Sequence, residues 1–276
     1  MANNLIYIVL DSCRYDSFLR SQALNMLELG NLQKRYSYAS WTSPSHQTIL
    51  MGLVAHKSEK HVVASDVYKS EFSKWVTRLE IPDLSFKSFL PYLSLPKMLK
   101  ENNYTTIARV SMPVLNRFTS ASNFFDDYEL MPSHNDFKGM IDIVEFEDDA
   151  LKFYFFNLGE THYPYMLTGE DLPLISGVHG VFKRMDEFLL HGNPPDAISD
   201  QFFDPIQMAR LHEQQSVCVD YVDSLMAELF NKCPSNTYFI VTADHGELFG
   251  EEGYFGHGPI MHPKCFEVPF IEGICP

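Results

Sequence analysis

Towards the end of the chain runs Thr242-Ala243-Asp244-His245-Gly246-Glu247, followed shortly by Gly256-His257-Gly258. A carboxylate and an imidazole side by side can reach one metal ion, and glycines let the backbone turn closely around it. A bare Asp-His-Gly triplet could equally be a turn whose Asp caps a helix and whose His is solvated, so other segments must supply the missing parts. They do. The chain opens with Asn4-Leu5-Ile6-Tyr7-Ile8-Val9-Leu10-Asp11, an apolar run ending in a carboxylate, and continues to the hydroxyl-rich turn Trp41-Thr42-Ser43-Pro44-Ser45-His46. Singly, Asp11 reads as an N-cap and Thr42 as a turn residue. Jointly they form a set that could converge on one site although far apart in sequence.

Convergence needs elements that bring these groups together. Tyr238–Val241 and Asn4–Leu10 read as buried strands whose ends carry Asp244 and Asp11. Lys152–Asn157 is a Phe- and Tyr-rich central strand, and a helix over Leu95–Asn103 feeds a strand over Thr105–Val110. Asp204-Pro205 looks like an N-cap and first-turn proline. The helix that follows places Leu211, Cys218, Val222, Leu225 and Leu229 on one face and ends near Lys232-Cys233-Pro234. Alternating helices and strands imply an α/β fold with a mostly parallel central sheet flanked by helices, a fold that places ligands at the carboxyl ends of its strands. At 276 residues the chain suits one compact domain, 1–276.

Composition narrows the function classes. A net charge of −15 opposes a nucleic acid polymer as partner, because phosphate attraction needs clustered Lys and Arg. It does not oppose a small phosphoester whose charge a metal neutralises locally. Acidic residues gather at Asp142–Asp149, read as a solvated surface, and at Glu247–Glu252, beside the proposed site. No apolar run is long enough for a membrane span. Five scattered cysteines suggest reduced thiols, and Cys13 a small buried residue, rather than a disulfide framework. With an N-terminus that moves directly into a strand, the expected location is cytoplasmic.

With these residues in this order, the chain resembles the alkaline phosphatase superfamily, specifically its sulfatase-like and nucleotide pyrophosphatase-like branches. The likeness touches the N-terminal strand, the Thr42 turn, a central segment and the last forty or so residues; Phe72 to Ser111 and Thr168 to Phe203 match nothing nameable. The resemblance implies a divalent metal held by Asp11, Thr42, Asp244 and His245, with Thr42 as nucleophile. It makes His257 either a second-metal ligand or a substrate contact. Many relatives continue into a further subdomain, and by that comparison this is a compact member lacking a large C-terminal one. Sulfatases carry Cys-x-Pro-x-Arg, whose Cys becomes formylglycine; here the frame reads Thr42-Ser43-Pro44-Ser45-His46, so no formylglycine can form there. His245 stands where sulfatases tend to carry Asn, and imidazole suits zinc or manganese better than calcium.

In Gly159-Glu160-Thr161-His162-Tyr163-Pro164, His162 matches a His-x-Pro that contacts the substrate's anionic group in relatives. Two-metal relatives carry an Asp and a His four residues apart in this region; Glu160 and Pro164 break that pattern and argue against a complete second metal site. The set implies a metal-activated Thr42 attacking in line, a phosphothreonine intermediate, and His162 and His257 steadying oxygens or protonating the leaving group. Phosphodiesterase, phosphomonoesterase and phosphotransferase all remain open. The alternatives are a sulfatase-like hydrolase without formylglycine and a non-catalytic metal-binding member. Around this set, Arg14 could meet an oxyanion or pair with Asp16, and His46 could orient Thr42 or pack the helix start. Lys264 and His262 could border the substrate, Glu251 or Glu252 could touch metal, and His134, His179 and His191 read as surface residues.

Overall fold

The computed structural model describes residues 2–57, 62–90, 92–147, 150–165, 172, 175 and 203–276. His179, His191 and most of the 168–203 stretch lie outside them. Strand β1 (Asn4–Leu10) has every residue buried, as a near-continuous Leu/Ile/Val run should in a parallel sheet covered on both faces. It pairs in parallel with β5 (Leu151–Leu158) on one side and β6 (Thr237–Ala243) on the other. β3 (Tyr104–Val110) and β4 (Asp127–Leu130) extend the parallel set beyond β5. Beyond β6, β9 (Glu267–Ile274) runs antiparallel and carries β2 (Gln33–Tyr36) at the edge. The full order is β2-β9-β6-β1-β5-β3-β4, a mixed α/β sheet, mostly parallel as expected. A separate hairpin joins β7 (Leu248–Phe249) to β8 (Phe255–Gly256).

Register decides what meets at the carboxyl end. Leu10 stands level with Ala243 of β6 and with Leu158 of β5. One step further along, Asp11, Asp244 and Gly159 are therefore abreast, on strands about 4.8 Å apart. The three central strands thus deliver two carboxylates to the same spot without any long loop having to find it.

Helices α1 (Tyr15–Arg20), α2 (Leu24–Leu29), α3 (Thr42–Leu50), α4 (Ala64–Ser73), α5 (Trp75–Leu79), α6 (Leu95–Glu101) and α7 (Phe137–Asp142) cover the sheet together with α8 (Pro205–Lys232). α8 starts where the sequence marks it: the Asp204 side chain accepts from the Ile206 N–H and Pro205 occupies the first turn. Leu211, Cys218, Val222 and Leu229 of its stripe are buried, and Leu225 is partly so. Among the described residues no helix is long and apolar enough to cross a membrane. The sheet and its helices share one large apolar cluster, and a smaller one joins Tyr165, Met208, Leu211 and Cys218 to Phe249 and Phe255 of the hairpin.

Candidate metal and phosphoester site

Asp11, Asp244 and His245 are all fully buried, and each offers a ligand atom within 4.8 Å of the others. The two carboxylates are held alike. Asp11 Oδ2 accepts from the Asn157 amide at 2.8 Å, while Asn157 Oδ1 accepts the Ser111 and Met112 N–H groups. Asp244 Oδ1 accepts the N–H groups of Ser12 at 3.1 Å and His245 at 3.0 Å. Ser12 sits at φ 55°, an uncommon conformation for a residue with a side chain, and that turn aims its N–H at Asp244. The other oxygen of each, Asp11 Oδ1 and Asp244 Oδ2, is buried with no hydrogen-bond partner.

Two open carboxylate oxygens buried side by side are costly unless a cation joins them. Burial, and then the Asp244 charge, push the Asp11 carboxyl well above the ordinary range. Burial lifts Asp244 to about 7 against the pull of its N–H donors. The donor set, two carboxylate oxygens and an imidazole nitrogen, fits a divalent transition metal.

Four histidines around this point are anchored through Nδ1. His245 Nδ1 faces the Gly246 carbonyl at 2.9 Å, His162 Nδ1 the Tyr163 carbonyl at 2.6 Å and His46 Nδ1 the Thr42 carbonyl at 2.9 Å. A carbonyl only accepts, so Nδ1 carries the proton in each and Nε2 offers its lone pair. His257 Nδ1 meets the fully buried Glu247 carboxylate at 3.1 Å, and Tyr165 donates its hydroxyl to the other Glu247 oxygen. The Nε2 atoms of His245 and His162 both lie 3.9 Å from Asp11 Oδ1. The His257 ring centre is 4.3 Å from that of His245 and 5.1 Å from that of His162.

Thr42 opens α3, and its Oγ1 lies 3.3 Å from His245 Nε2. Two hydroxyls fix that helix start: Ser45 donates to the Asp244 carbonyl and Ser40 to the Gly258 carbonyl at 2.6 Å. The Asp-His turn itself needs Gly246, where a Cβ would come within 1.9 Å of the Lys264 carbonyl oxygen. A third brace comes from α8. Gln215 accepts from the Arg14 N–H and the Ser17 hydroxyl and donates to the Ser12 and Thr161 carbonyls, tying the loops after β1 and β5 to one amide.

The structure thus brings Asp11, Thr42, His162, Asp244, His245 and His257 together. His257 stands beside the three converging ligand groups rather than among them. Other expectations need correcting. Of the two readings of Arg14, the structure shows the pair with Asp16, through two bonds at 2.6 and 2.7 Å, with Glu251 as a further partner. Glu251 is therefore committed to Arg14, and Glu252 is 72% exposed, so neither reaches the cluster. Lys264 donates to Asp16, and His262 caps the short turn before β9. Glu160 is buried on its own account, accepting the Phe137 N–H at 2.8 Å. His134 is half-buried rather than on the surface. Cys13 is buried, as expected.

Asn157 and Gln215 escaped the sequence reading, and Glu247 was placed beside the site without a role, yet each leaves a trace. Asn157 interrupts an otherwise apolar strand. Gln215 falls on the buried stripe between Leu211 and Cys218. Glu247 directly follows the Asp-His-Gly turn.

A sequence model of the Sulfatase family matches residues 3–271, so the chain belongs to that family and with it to the alkaline phosphatase superfamily. No curated protein matches it in sequence. Solved structures with the same fold include the C-terminal periplasmic domain of EptC from Escherichia coli, in complex with zinc, at 14% identity and a TM-score of 0.59, covering 99% of this chain and 73% of that one. A 2-O GAG sulfatase gives 11% identity and 0.59 over 99% of this chain and 64% of its own. Lipooligosaccharide phosphoethanolamine transferase A from Neisseria meningitidis, an integral membrane protein, gives 11% and 0.57 over 99% and 48%.

Proposed function

We propose that the chain is a metal-dependent hydrolase or transferase of small phosphate mono- or diesters, with Thr42 as nucleophile. One observation carries the reading: the Thr42 hydroxyl stands 3.3 Å from His245 Nε2, at the edge of a buried cluster with two open carboxylate oxygens. Asp11, Asp244, His245 and Thr42 would hold one ion, with zinc or manganese favoured by the imidazole; the zinc-bound EptC neighbour supports zinc. When bound, such an ion lowers the pKa of a nearby hydroxyl and neutralises charge on the transferring group. Thr42 attacks phosphorus in line, the ester bond to the leaving group breaks, and phosphothreonine forms. The Nε2 sides of His162 and His257 steady the equatorial oxygens or protonate the departing oxygen. Water or an acceptor alcohol then attacks the same phosphorus and frees Thr42. The first turn of α3 adds the partial positive end of a helix beside the anionic group.

Sulfatases and phosphoethanolamine transferases both share this fold, so the nucleophile must choose between them. A threonine lacks the hydrated aldehyde through which formylglycine releases sulfate, and its adduct needs a second displacement, which phosphothreonine permits. That favours phosphoryl over sulfuryl transfer. It also weighs against a non-catalytic member, since a scaffold has no use for a hydroxyl placed there. We read 1–276 as one such domain, with no nucleic acid partner. Cytoplasmic residence is read from the five scattered cysteines; the Cys233 thiol donates to the Leu229 carbonyl and the Cys275 thiol to the Phe230 carbonyl. The Escherichia coli neighbour, a periplasmic domain, lends that location no support.

The test pairs elemental analysis with ester kinetics. Purified protein should hold zinc or manganese near stoichiometry, lost in Asp244→Ala, and should cleave aryl phosphate mono- or diesters faster than the matched aryl sulfate. Equal or faster cleavage of the sulfate ester overturns the phosphoryl reading. A folded wild type that takes up no divalent ion overturns the site.

A further inference from the structure

His162 and His257 reach the site from different loops, one after β5 and one after β8, yet their ring centres stand 5.1 Å apart with the planes at 74°. Two loops need a common tie to keep that spacing, and Tyr165 reaches both. Its backbone N–H donates to the His162 carbonyl at 2.9 Å. Its hydroxyl donates to Glu247 Oε2, and Glu247 Oε1 meets His257 Nδ1 at 3.1 Å. The hairpin brings that last pair together: Leu248 of β7 stands opposite Gly256 of β8, so Glu247 and His257 face each other one step further along. Hydrogen bonds thus run from one histidine to the other through Tyr165 and Glu247.

Packing alone asks for no such path. Tyr165 and Glu247 are fully buried. Tyr165 belongs to the small apolar cluster with Met208, Leu211, Cys218, Phe249 and Phe255, which a phenylalanine would fill as well. Burying an acid and a hydroxyl there costs free energy that an apolar pair would avoid. Burial, and then the Glu247 charge, push the Tyr165 hydroxyl well above the ordinary range, so it remains a donor. The backbone is strained too: Tyr165 sits at φ 55°, a region that bulky residues seldom enter. Such strain persists where surrounding contacts over-determine a position, and it clusters at functional sites. What His257 gains is what a carboxylate gives any imidazole: a fixed ring orientation and tautomer, with the proton on Nδ1 and the lone pair on Nε2.

We propose that Tyr165 is a positioning residue: through Glu247 it fixes the His257 ring, and through its backbone it fixes the His162 loop, so that the two imidazoles meet the substrate as one unit. Its effect on turnover rests on the phosphoryl reading above; its hold on the His257 ring does not.

Tyr165→Phe deletes the hydroxyl and keeps the ring. It should lower kcat for a phosphoester on the order of tenfold, with KM held within about twofold, because the interaction steadies the transition state. In a His257→Ala background the same change should have no further effect. Histidine 15N spectra give a readout that needs no turnover. The ring nitrogens of His257, identified by their loss in His257→Ala, should shift in Tyr165→Phe towards a mixture of tautomers. Those of His46, whose Nδ1 partner is the Thr42 carbonyl, should stay in place. Should Tyr165→Phe fail to fold, Glu247→Gln weakens the same link at its next bond and should move the same nitrogens. Unmoved His257 nitrogens, or a loss of kcat that persists undiminished in the His257→Ala background, overturn the proposal. A loss seen only as raised KM assigns Tyr165 to substrate binding and overturns it too. Shifted nitrogens in a protein that cleaves no phosphoester uphold the positioning and overturn the phosphoryl reading instead.

Discussion

At the scale of single residues, the site is a set of side chains each held by one atom and presented by another. Asp11 and Asp244 keep one oxygen bonded and one open, and His245 and His162 are pinned at Nδ1 with Nε2 towards Asp11. On the proposed reading, Thr42→Ala should cut phosphoester turnover by at least about 10³-fold while leaving the melting curve intact, because only the proposed attacking atom is lost. Ser43→Ala should retain most activity, and a covalent adduct mapped to any residue but Thr42 would refute the assignment. Glu247 reaches the chemistry through His257. Glu247→Ala and His257→Ala should each lower kcat, on the order of 10²-fold if His257 acts as an oxyanion donor, and the double variant should be little worse than either alone. Additive losses in that cycle would mean that Glu247 acts on its own.

At the scale of elements, the strands that carry the site were the most legible, and for a physical reason. β1, β5 and β6 are covered on both faces, so their sequences are nearly unbroken apolar runs. The edge strands β2 and β4 are only half-covered and polar, Gln33-Lys34-Arg35-Tyr36 and Asp127-Tyr128-Glu129-Leu130, and nothing in their residues announces a strand. The candidate ligand residues were legible because strand ends and adjacent Asp-His chemistry are local signals. Asn157 and Gln215 were not, because their partners, Asp11 and the loops after β1 and β5, are adjacent only in the folded chain. The same holds for Glu160, which looked like a broken metal motif and is a buried acid at the start of α7. Burial raises its carboxyl from 4.5 to about 7. The folded protein therefore binds that proton more tightly than the unfolded chain. Its contribution is fully present below pH 4.5 and is lost as pH rises through 7, by up to about 3 kcal/mol. Urea midpoints at pH 5 and pH 8 should show Glu160→Gln close to wild type at the lower pH and more stable at the higher. An unchanged difference between the two pH values would place the raised acid elsewhere.

At the scale of the whole molecule, two adjacent strands, β1 and β6, end on buried carboxylates that repel one another when nothing lies between them. A bound ion turns that repulsion into attraction at the centre of the sheet, so chelation should lower the melting temperature as well as activity. The expected drop is on the order of 5–10 °C, restored by zinc or manganese in calorimetric scans. The Asp244→Ala variant should melt at one temperature with or without the ion. A wild-type transition insensitive to both chelator and metal would show that the cluster does not couple an ion to folding.

The brace that Gln215 provides sets a schedule for biosynthesis. Asp11 is made before the groups that fix it: its neighbours on the sheet's other side and the amide that holds its loop belong to β6 and α8, more than two hundred residues later. At about 5–20 residues per second, a nascent chain spends roughly 10–45 s with its first carboxylate made and its second not yet joined to it. In that interval β1 has no complete β6 beside it, and no β5 until Leu158 has been made, so a free ion does not meet both carboxylates together. An ion shared by both carboxylates can therefore be captured only once Asp244 has been made, and a chain stalled before Asp244 should emerge without it.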